Sequence, residues 1–195
     1  MIERFYQIVD GAHWLERLLP VGVKLVQLRV KDLAPDALRR EIVRSRDLCA
    51  KFGATLIVND FWREAIDLDC DYIHLGQEDL DGADMAAIRR ARLRVGISTH
   101  SHEELERALS FDPDYVALGP VFPTTLKKMP WAPQGHARVT EWKKRIGDIP
   151  LVAIGGLTVE RAPDVYAAGA DSIAVVSDVL SNPSPEARAA AWLAL

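Results

Sequence analysis

Arg29, Lys31, Asn59, Asp60, Asp79, Ser98, Thr124, Thr125, Lys127, Gly156 and Ser177 are the residues of this chain whose types suit chemistry on phosphates. Arginine offers a planar fork for phosphate oxygens and lysine a compact positive charge. Gly155-Gly156 lets backbone approach an anion with no Cβ in the way. Asp60 and Asp79 could share one Mg2+, which prefers carboxylate and phosphate oxygens; two protein ligands suffice when a diphosphate supplies others. Each position also has a plainer reading. Gly155-Gly156 fits a tight turn, Ser177 a helix cap, Asp60 an N-cap for a helix over 61–66, Asp79 a turn, and Lys127-Lys128 a solvated loop. Their common placement favours the chemical reading, because nearly all of them end a short run rich in Val, Ile and Leu.

Eight such runs read as strands: 5–9, 24–30, 55–59, 72–75, 94–98, 115–118, 151–154 and 172–176. Between them lie segments with helical spacing. Leu38, Ile42, Ser45 and Cys49 share a stripe; 84–92 carries Met85 and Ile88; 103–110 sets Leu105 four before Leu109; 139–146 is similar. Thr158 with Glu160, and Ser184 before Pro185, look like helix starts. Strand and helix alternate throughout, which argues for parallel βα units. Eight units close a barrel, so the expected fold is α/β: a single (β/α)8 TIM barrel over 1–195, compact and with short loops. An open doubly wound sheet is the rival, but no G-x-G-x-x-G occurs. In the barrel all strand ends converge on one mouth, and the loops after strands seven and eight often hold a phosphate. Arg29 and Lys31 alternate along strand two and share a face; the outer layer is too apolar for two charges, so the lumen is expected.

The 195 residues carry 49% hydrophobic and 27% charged residues and a net charge of −4. This balance argues against nucleic acid and acidic membrane as partners. Cys49 and Cys70 show no metal spacing and make no disulfide framework, which fits a reducing cytoplasm. No apolar stretch approaches the ~20 residues that span a bilayer, and no secretory signal is visible. Self-association into a homo-oligomer stays open. Two anion sites and a metal pair suggest joining a phosphorylated small molecule to another that departs as diphosphate.

The chain resembles the thiamine-phosphate synthase family from about Phe5 to the C-terminus. The matching stretches are Val26-Gln27-Leu28-Arg29-Val30-Lys31, Val58-Asn59-Asp60, His74-Leu75-Gly76-Gln77-Glu78-Asp79, Gly96-Ile97-Ser98-Thr99-His100, Gly119-Pro120-Val121-Phe122-Pro123-Thr124, Lys127, Ala153-Ile154-Gly155-Gly156 and Val175-Val176-Ser177. The resemblance implies a barrel that condenses 4-amino-2-methyl-5-hydroxymethylpyrimidine diphosphate with 4-methyl-5-(2-hydroxyethyl)thiazole phosphate, or its carboxylated form, with Mg2+ required. It implies that Gln27, Arg29, Lys31, Asn59, Ser98 and Lys127 bind the pyrimidine diphosphate, with Arg29, Ser98 and Lys127 as the catalytic set. Asp60 and Asp79 are the implied metal ligands. Thr124, Thr125, Gly156, Val176 and Ser177 are the implied contacts of the thiazole phosphate.

Two departures stand out. Where the family often has Pro-Thr-x-Thr-Lys, this chain has Leu126 before Lys127, losing one hydroxyl. The N-terminal lead is short, which is expected to thin the barrel floor or the rim. His74 lies inside an apolar run and reads as a hydrogen-bonded core histidine; His100 follows Ser98 at the mouth but stays outside the catalytic set. The stretch 129–135, with two prolines and Trp131, reads as a loop over the site, or else as a rigid surface loop. A thiazole tautomerase-like relative, with one phosphate site and no diphosphate chemistry, is the nearest alternative; Arg29, Lys31, Asp60, Asp79 and Lys127 together argue against it. A non-catalytic metabolite-binding barrel has only Leu126 in its favour. A sugar-phosphate isomerase or aldolase would want a Schiff-base lysine or a Glu/His base, and none stands out.

Overall fold

The aliphatic runs become strands because their residues can be buried on both faces. In the computed structural model, which describes residues 2–124 and 131–195, these are β1 (Phe5–Val9), β2 (Leu25–Leu28), β3 (Thr55–Asn59), β4 (Tyr72–Leu75), β5 (Arg94–Thr99), β6 (Tyr115–Leu118), β7 (Leu151–Ile154) and β8 (Ser172–Val175). Each pairs in parallel with the next, and β8 returns to β1 to close the barrel. Parallel strands covered on the outside by helices are apolar on both sides, hence the unbroken Val/Ile/Leu runs rather than an alternating pattern.

The surrounding helices are α1 (Ala12–Leu18), α2 (Pro35–Phe52), α3 (Trp62–Asp67), α4 (Met85–Arg90), α5 (His102–Leu109), α6 (Gly135–Ile146), α7 (Ala162–Ala167), α8 (Ser177–Leu180) and α9 (Pro185–Leu193). The stripe Leu38, Ile42, Ser45 and Cys49 is the buried face of α2, and the helix stops at Gly53, whose φ of 61° suits glycine. Asp84 accepts from Ala87 N to cap α4, and Ser101 accepts from Glu104 N to cap α5. Trp142 of α6 is fully buried; its indole N–H donates to Thr99 Oγ1 at 2.9 Å, whose hydroxyl donates to the Ala117 carbonyl. Cys49 and Cys70 are buried free thiols. Among the described residues no helix is long and apolar enough to cross a membrane.

Three expectations are corrected. Strand two ends at Leu28, so Arg29 lies on the lip just beyond it. α7 begins at Ala162; Thr158 instead opens the preceding turn, its carbonyl accepting from Arg161 and Ala162 at 3.0 Å. The N-cap of α3 is Phe61, and Asp60 before it has a left-handed φ of 66°, which leaves its carboxylate free of any capping role.

The lumen is filled rather than open. Tyr6, Ile8, Leu25, Ile57, Tyr72 and Tyr115 form its core, and partly buried Ile2 packs against that cluster. The Arg94 guanidinium lies over the Tyr72 ring, 4.3 Å from its centroid. Register places Gly96 between His74 and Tyr115. A Cβ on Gly96 would overlap the Tyr115 ring, so glycine is what lets that ring lie across the lumen. Gly96→Ala is therefore expected to cost about 1–3 kcal/mol by overpacking, read as a lower denaturation midpoint; an unchanged midpoint would mean that the ring has room to move.

Candidate active site at the barrel mouth

The strand ends bring the expected residues together. Arg29 and Lys31 line a cleft of about 370 Å³ with Asp10, Val30 and Leu33, beyond the ends of β1 and β2. Arg29 is half-buried and Lys31 exposed, and neither is ion-paired among the described residues. A larger cleft of about 660 Å³ runs along the outside of α2 and Leu68. None of the residues expected at the mouth lines it.

Asp60 and Asp79 face each other. The Asp60 carboxyl is pushed up to about 6, first by burial and then by the charge and hydrogen-bonding proximity of Asp79; Arg29 and the Asn59 side chain oppose the rise. Asp79 Oδ2 also accepts from Gly76 N at 3.0 Å. Two carboxylates in reach of one another, with the half-buried Arg29 guanidinium as the one cation acting on Asp60 among the described residues, are under-neutralised. That is the electrostatic condition a divalent cation relieves, so this donor set fits Mg2+, with the remaining ligands left to substrate oxygens and water.

Asn59 is buried next to this pair. Ser98 is half-buried, and its Oγ lies 2.8 Å from His74 Nε2. Behind it, Gln77 Nε2 donates to the Ser98 carbonyl at 2.7 Å. His74 is the hydrogen-bonded core histidine expected: its Nδ1 lies 2.7 Å from Tyr115 Oη. Burial, reinforced by Arg29 and His100, lowers its pKa to about 4. Gln27 sits deeper, with its amide donating to Tyr6 Oη at 2.7 Å.

The second anion site forms after β7 and β8. Gly155 and Gly156 have φ of 100° and 64°, and a Cβ on Gly155 would come within 2.7 Å of Pro120 Cα. Glycine is demanded twice, by conformation and by close approach. The chain after β6 runs alongside, with Val121 N donating to Ile154 O and Phe122 N to Gly155 O, which brings half-buried Thr124 toward the same corner. The N–H groups of Gly156, Val176 and Ser177 donate to no backbone carbonyl among the described residues, which leaves them for an anion. Ser177 opens α8 and Val176 is its N-cap.

Sequence reasoning missed what steadies this corner. Asp178 receives two bonds from Arg188, at 2.8 and 2.7 Å, and one from Trp192 Nε1 at 2.7 Å; Arg188 also grips Glu160. The Asp178 charge is thereby neutralised from the α9 side, and does not repel an anion at Ser177. An acidic residue after Ser177 was the only signal, and its partner lies ten residues away on another helix. Thr125, Leu126 and Lys127 lie outside the described residues, as do residues 129 and 130 at the start of the expected loop. Its described end is anchored at the mouth: Trp131 stacks on His100 with centroids 5.7 Å apart, and Gln134 N donates to Pro120 O. His100 itself is held by Glu104 Oε2 at 2.8 Å.

The mouth thus combines a cationic cleft, a carboxylate pair and a separate bed of N–H groups that no described backbone carbonyl accepts. The family of thiamine monophosphate synthases matches residues 6–179. The chain belongs to that family. It is 61% identical over 193 residues to a thiamine-phosphate synthase of Rhizobium etli, covering 99% of this chain and 95% of that one. With a thiamine-phosphate synthase of Neisseria meningitidis it shares 48% over 192 residues, 98% of this chain and 94% of the other. The solved structure of a thiamine phosphate pyrophosphorylase from Pyrococcus furiosus superposes with a TM-score of 0.87 at 27% identity, over 98% of this chain and 94% of that one. As in other members of this transferase family, the chemistry of thiamine biosynthesis is carried on a TIM barrel.

The raised Asp60 carboxyl has a thermodynamic sign. Its folded value of about 6 lies above the ordinary 3.8, so the folded state binds the proton more tightly. Stability from this group is full below pH 3.8 and is lost as pH rises through 6. Asp60→Asn should remove that loss and stabilise the metal-free protein at pH 7 by about 1 kcal/mol, after allowing for solvent screening. Thermal melts across pH 4–7 check this; a destabilised Asn variant at pH 7 would show that the carboxylates do not repel.

Proposed function

We propose that the mouth condenses 4-amino-2-methyl-5-hydroxymethylpyrimidine diphosphate with 4-methyl-5-(2-hydroxyethyl)thiazole phosphate, or its carboxylated form, to give thiamine phosphate and diphosphate. The observation that carries this reading is the facing Asp60–Asp79 pair beside Arg29 and Lys31, set apart from the N–H bed at Gly156 and Ser177. One site suits a diphosphate with its metal, the other a monophosphate.

The reaction is dissociative. The pyrimidine C–O bond breaks, its electron pair leaves with the diphosphate, and the amino-substituted ring delocalises the positive charge left on the exocyclic carbon. The thiazole nitrogen lone pair then forms the new C–N bond. No proton has to move for these two events. Arg29 and Lys31, with Lys127 from the β6 loop, offset the negative charge that grows on the leaving group. Asn59 and Ser98 hydrogen-bond the same diphosphate. Thr124, Thr125, Gly156, Val176 and Ser177 hold the thiazole phosphate so that its ring nitrogen faces the cation, which removes much of the orientational barrier. Asp60 and Asp79 would hold Mg2+, which supplies neutralisation of leaving-group charge when bound.

Mixing both substrates with and without Mg2+ tests the reading. Diphosphate release with Mg2+, and little without it, is the expected result; metal-independent isomerisation of a thiazole substrate with no condensation would contradict it. Lys127→Ala should lower kcat by about 10²-fold, the scale of a lost transition-state donor, while leaving thiazole phosphate affinity nearly unchanged. Equal losses in both would remove Lys127 from the leaving-group side.

A further inference from the structure

Beneath the mouth, a file of hydrogen bonds crosses the barrel from β2 to β5. Gln27 Nε2 donates to Tyr6 Oη at 2.7 Å; Tyr6 Oη and Tyr115 Oη are 3.0 Å apart; Tyr115 Oη meets His74 Nδ1 at 2.7 Å; His74 Nε2 meets Ser98 Oγ at 2.8 Å. Tyr6, Gln27, His74 and Tyr115 are buried, and only Ser98 reaches the mouth. The geometry is tightly held. The Tyr6 and Tyr115 rings meet edge to face, the His74 and Tyr115 rings stack at an interplanar angle of 17°, and Gly96 clears the space that Tyr115 crosses.

The donor at the Gln27 end sets the direction of every bond after it. The Tyr6 oxygen receives the amide proton, and among the described residues Tyr115 is the other side-chain partner of its hydroxyl, so both buried hydroxyls are satisfied when Tyr6 donates to Tyr115 and Tyr115 donates to His74 Nδ1. A neutral imidazole that accepts at Nδ1 carries its proton on Nε2, and that proton goes to Ser98 Oγ. Ser98 Oγ has no second partner among the described residues. Its own proton is then the open end of the file, directed away from His74. Successive bonds polarise one another in a low-dielectric interior, so the terminal hydroxyl is a stronger donor than an isolated serine.

We propose that Tyr115 and His74 are positioning residues that fix the proton of Ser98 outward, making its hydroxyl an obligate donor to the departing diphosphate. The proposal rests on the synthase reading above. It assigns a role in catalysis to two side chains that touch no substrate, and to Tyr6 and Gln27 as the anchor of the file. Neither phenol needs to ionise; burial pushes both above the ordinary range, so each keeps the proton that it donates.

The test is a double-mutant cycle between Tyr115→Phe and Ser98→Ala, measured as diphosphate release at saturating substrates and Mg2+. Tyr115→Phe keeps the ring and removes one link. It should lower kcat about tenfold, on the order of one hydrogen bond's net contribution, with KM for the pyrimidine diphosphate little changed. On the Ser98→Ala background the same substitution should have no further effect. His74→Gln, which retains an N–H toward Ser98, should keep more of kcat than His74→Leu. Losses that multiply independently in the double variant overturn the proposal and leave the synthase reading intact. A wild-type protein that releases no diphosphate sinks both. A second readout needs no turnover: nitrogen NMR of the free protein at neutral pH should find the His74 proton on Nε2, and a proton on Nδ1 reverses the file and overturns the proposal.

Discussion

Two carboxylates held close together, at the end of neighbouring strands and with too little positive charge around them, are the constraint on which the mouth is organised. Asp60 and Asp79 come from consecutive strand ends, and like charges so placed raise the energy of the folded, metal-free protein. The left-handed backbone at Asp60 is part of the same arrangement. A non-glycine residue with φ of 66° costs energy that only the surrounding fold can offset; here it takes the side chain out of capping and leaves it facing Asp79. The apolar barrel below supplies the rigidity that keeps this unfavourable pair together, and on the proposed reading a metal relieves it.

The second consequence of the barrel is separation. Arg29 and Lys31 rise from β2, whereas the Gly156 and Ser177 N–H groups rise from β7 and β8, and β1 lies between those two parts of the ring. Charge on one side is carried by side chains and, on the proposed reading, a metal. On the other it is met by backbone dipoles, with Asp178 silenced by Arg188 and Trp192. On that reading, two phosphorylated molecules are told apart by how many charges each corner can neutralise. The chain from Val121 to Thr124, hydrogen-bonded along Ile154 and Gly155, ties the monophosphate corner to the segment that leads to Lys127.

Much of this was legible in the sequence. The eight strands were visible because a strand buried on both faces is written as an unbroken aliphatic run, and the mouth residues because polar groups ending such runs have no other place to go. Boundaries moved where side-chain types were ambiguous: Arg29 looked like strand and is lip, and Thr158 looked like a helix start and begins a turn. The hydrogen-bonded file was not legible. Tyr6 and Tyr115 are separated by 109 residues, each sits in an apolar run where an aromatic reads as core, and only the register across Gly96 brings Tyr115 to His74. Arg188 was equally hidden, because its value lies in an ion pair between helices rather than in any spacing. Placement of Thr125 and Lys127 falls outside the described residues.

The most direct measurement is calorimetric titration of diphosphate into the protein with Mg2+ and again in chelator. On the proposed reading a divalent ion joins the carboxylate pair to the cationic cleft, so binding should be strong with Mg2+ and at least tenfold weaker without it, and Asp60→Asn should abolish the difference. Equal affinity under both conditions would contradict the account, because Asp60 and Asp79 would then have no ion to share.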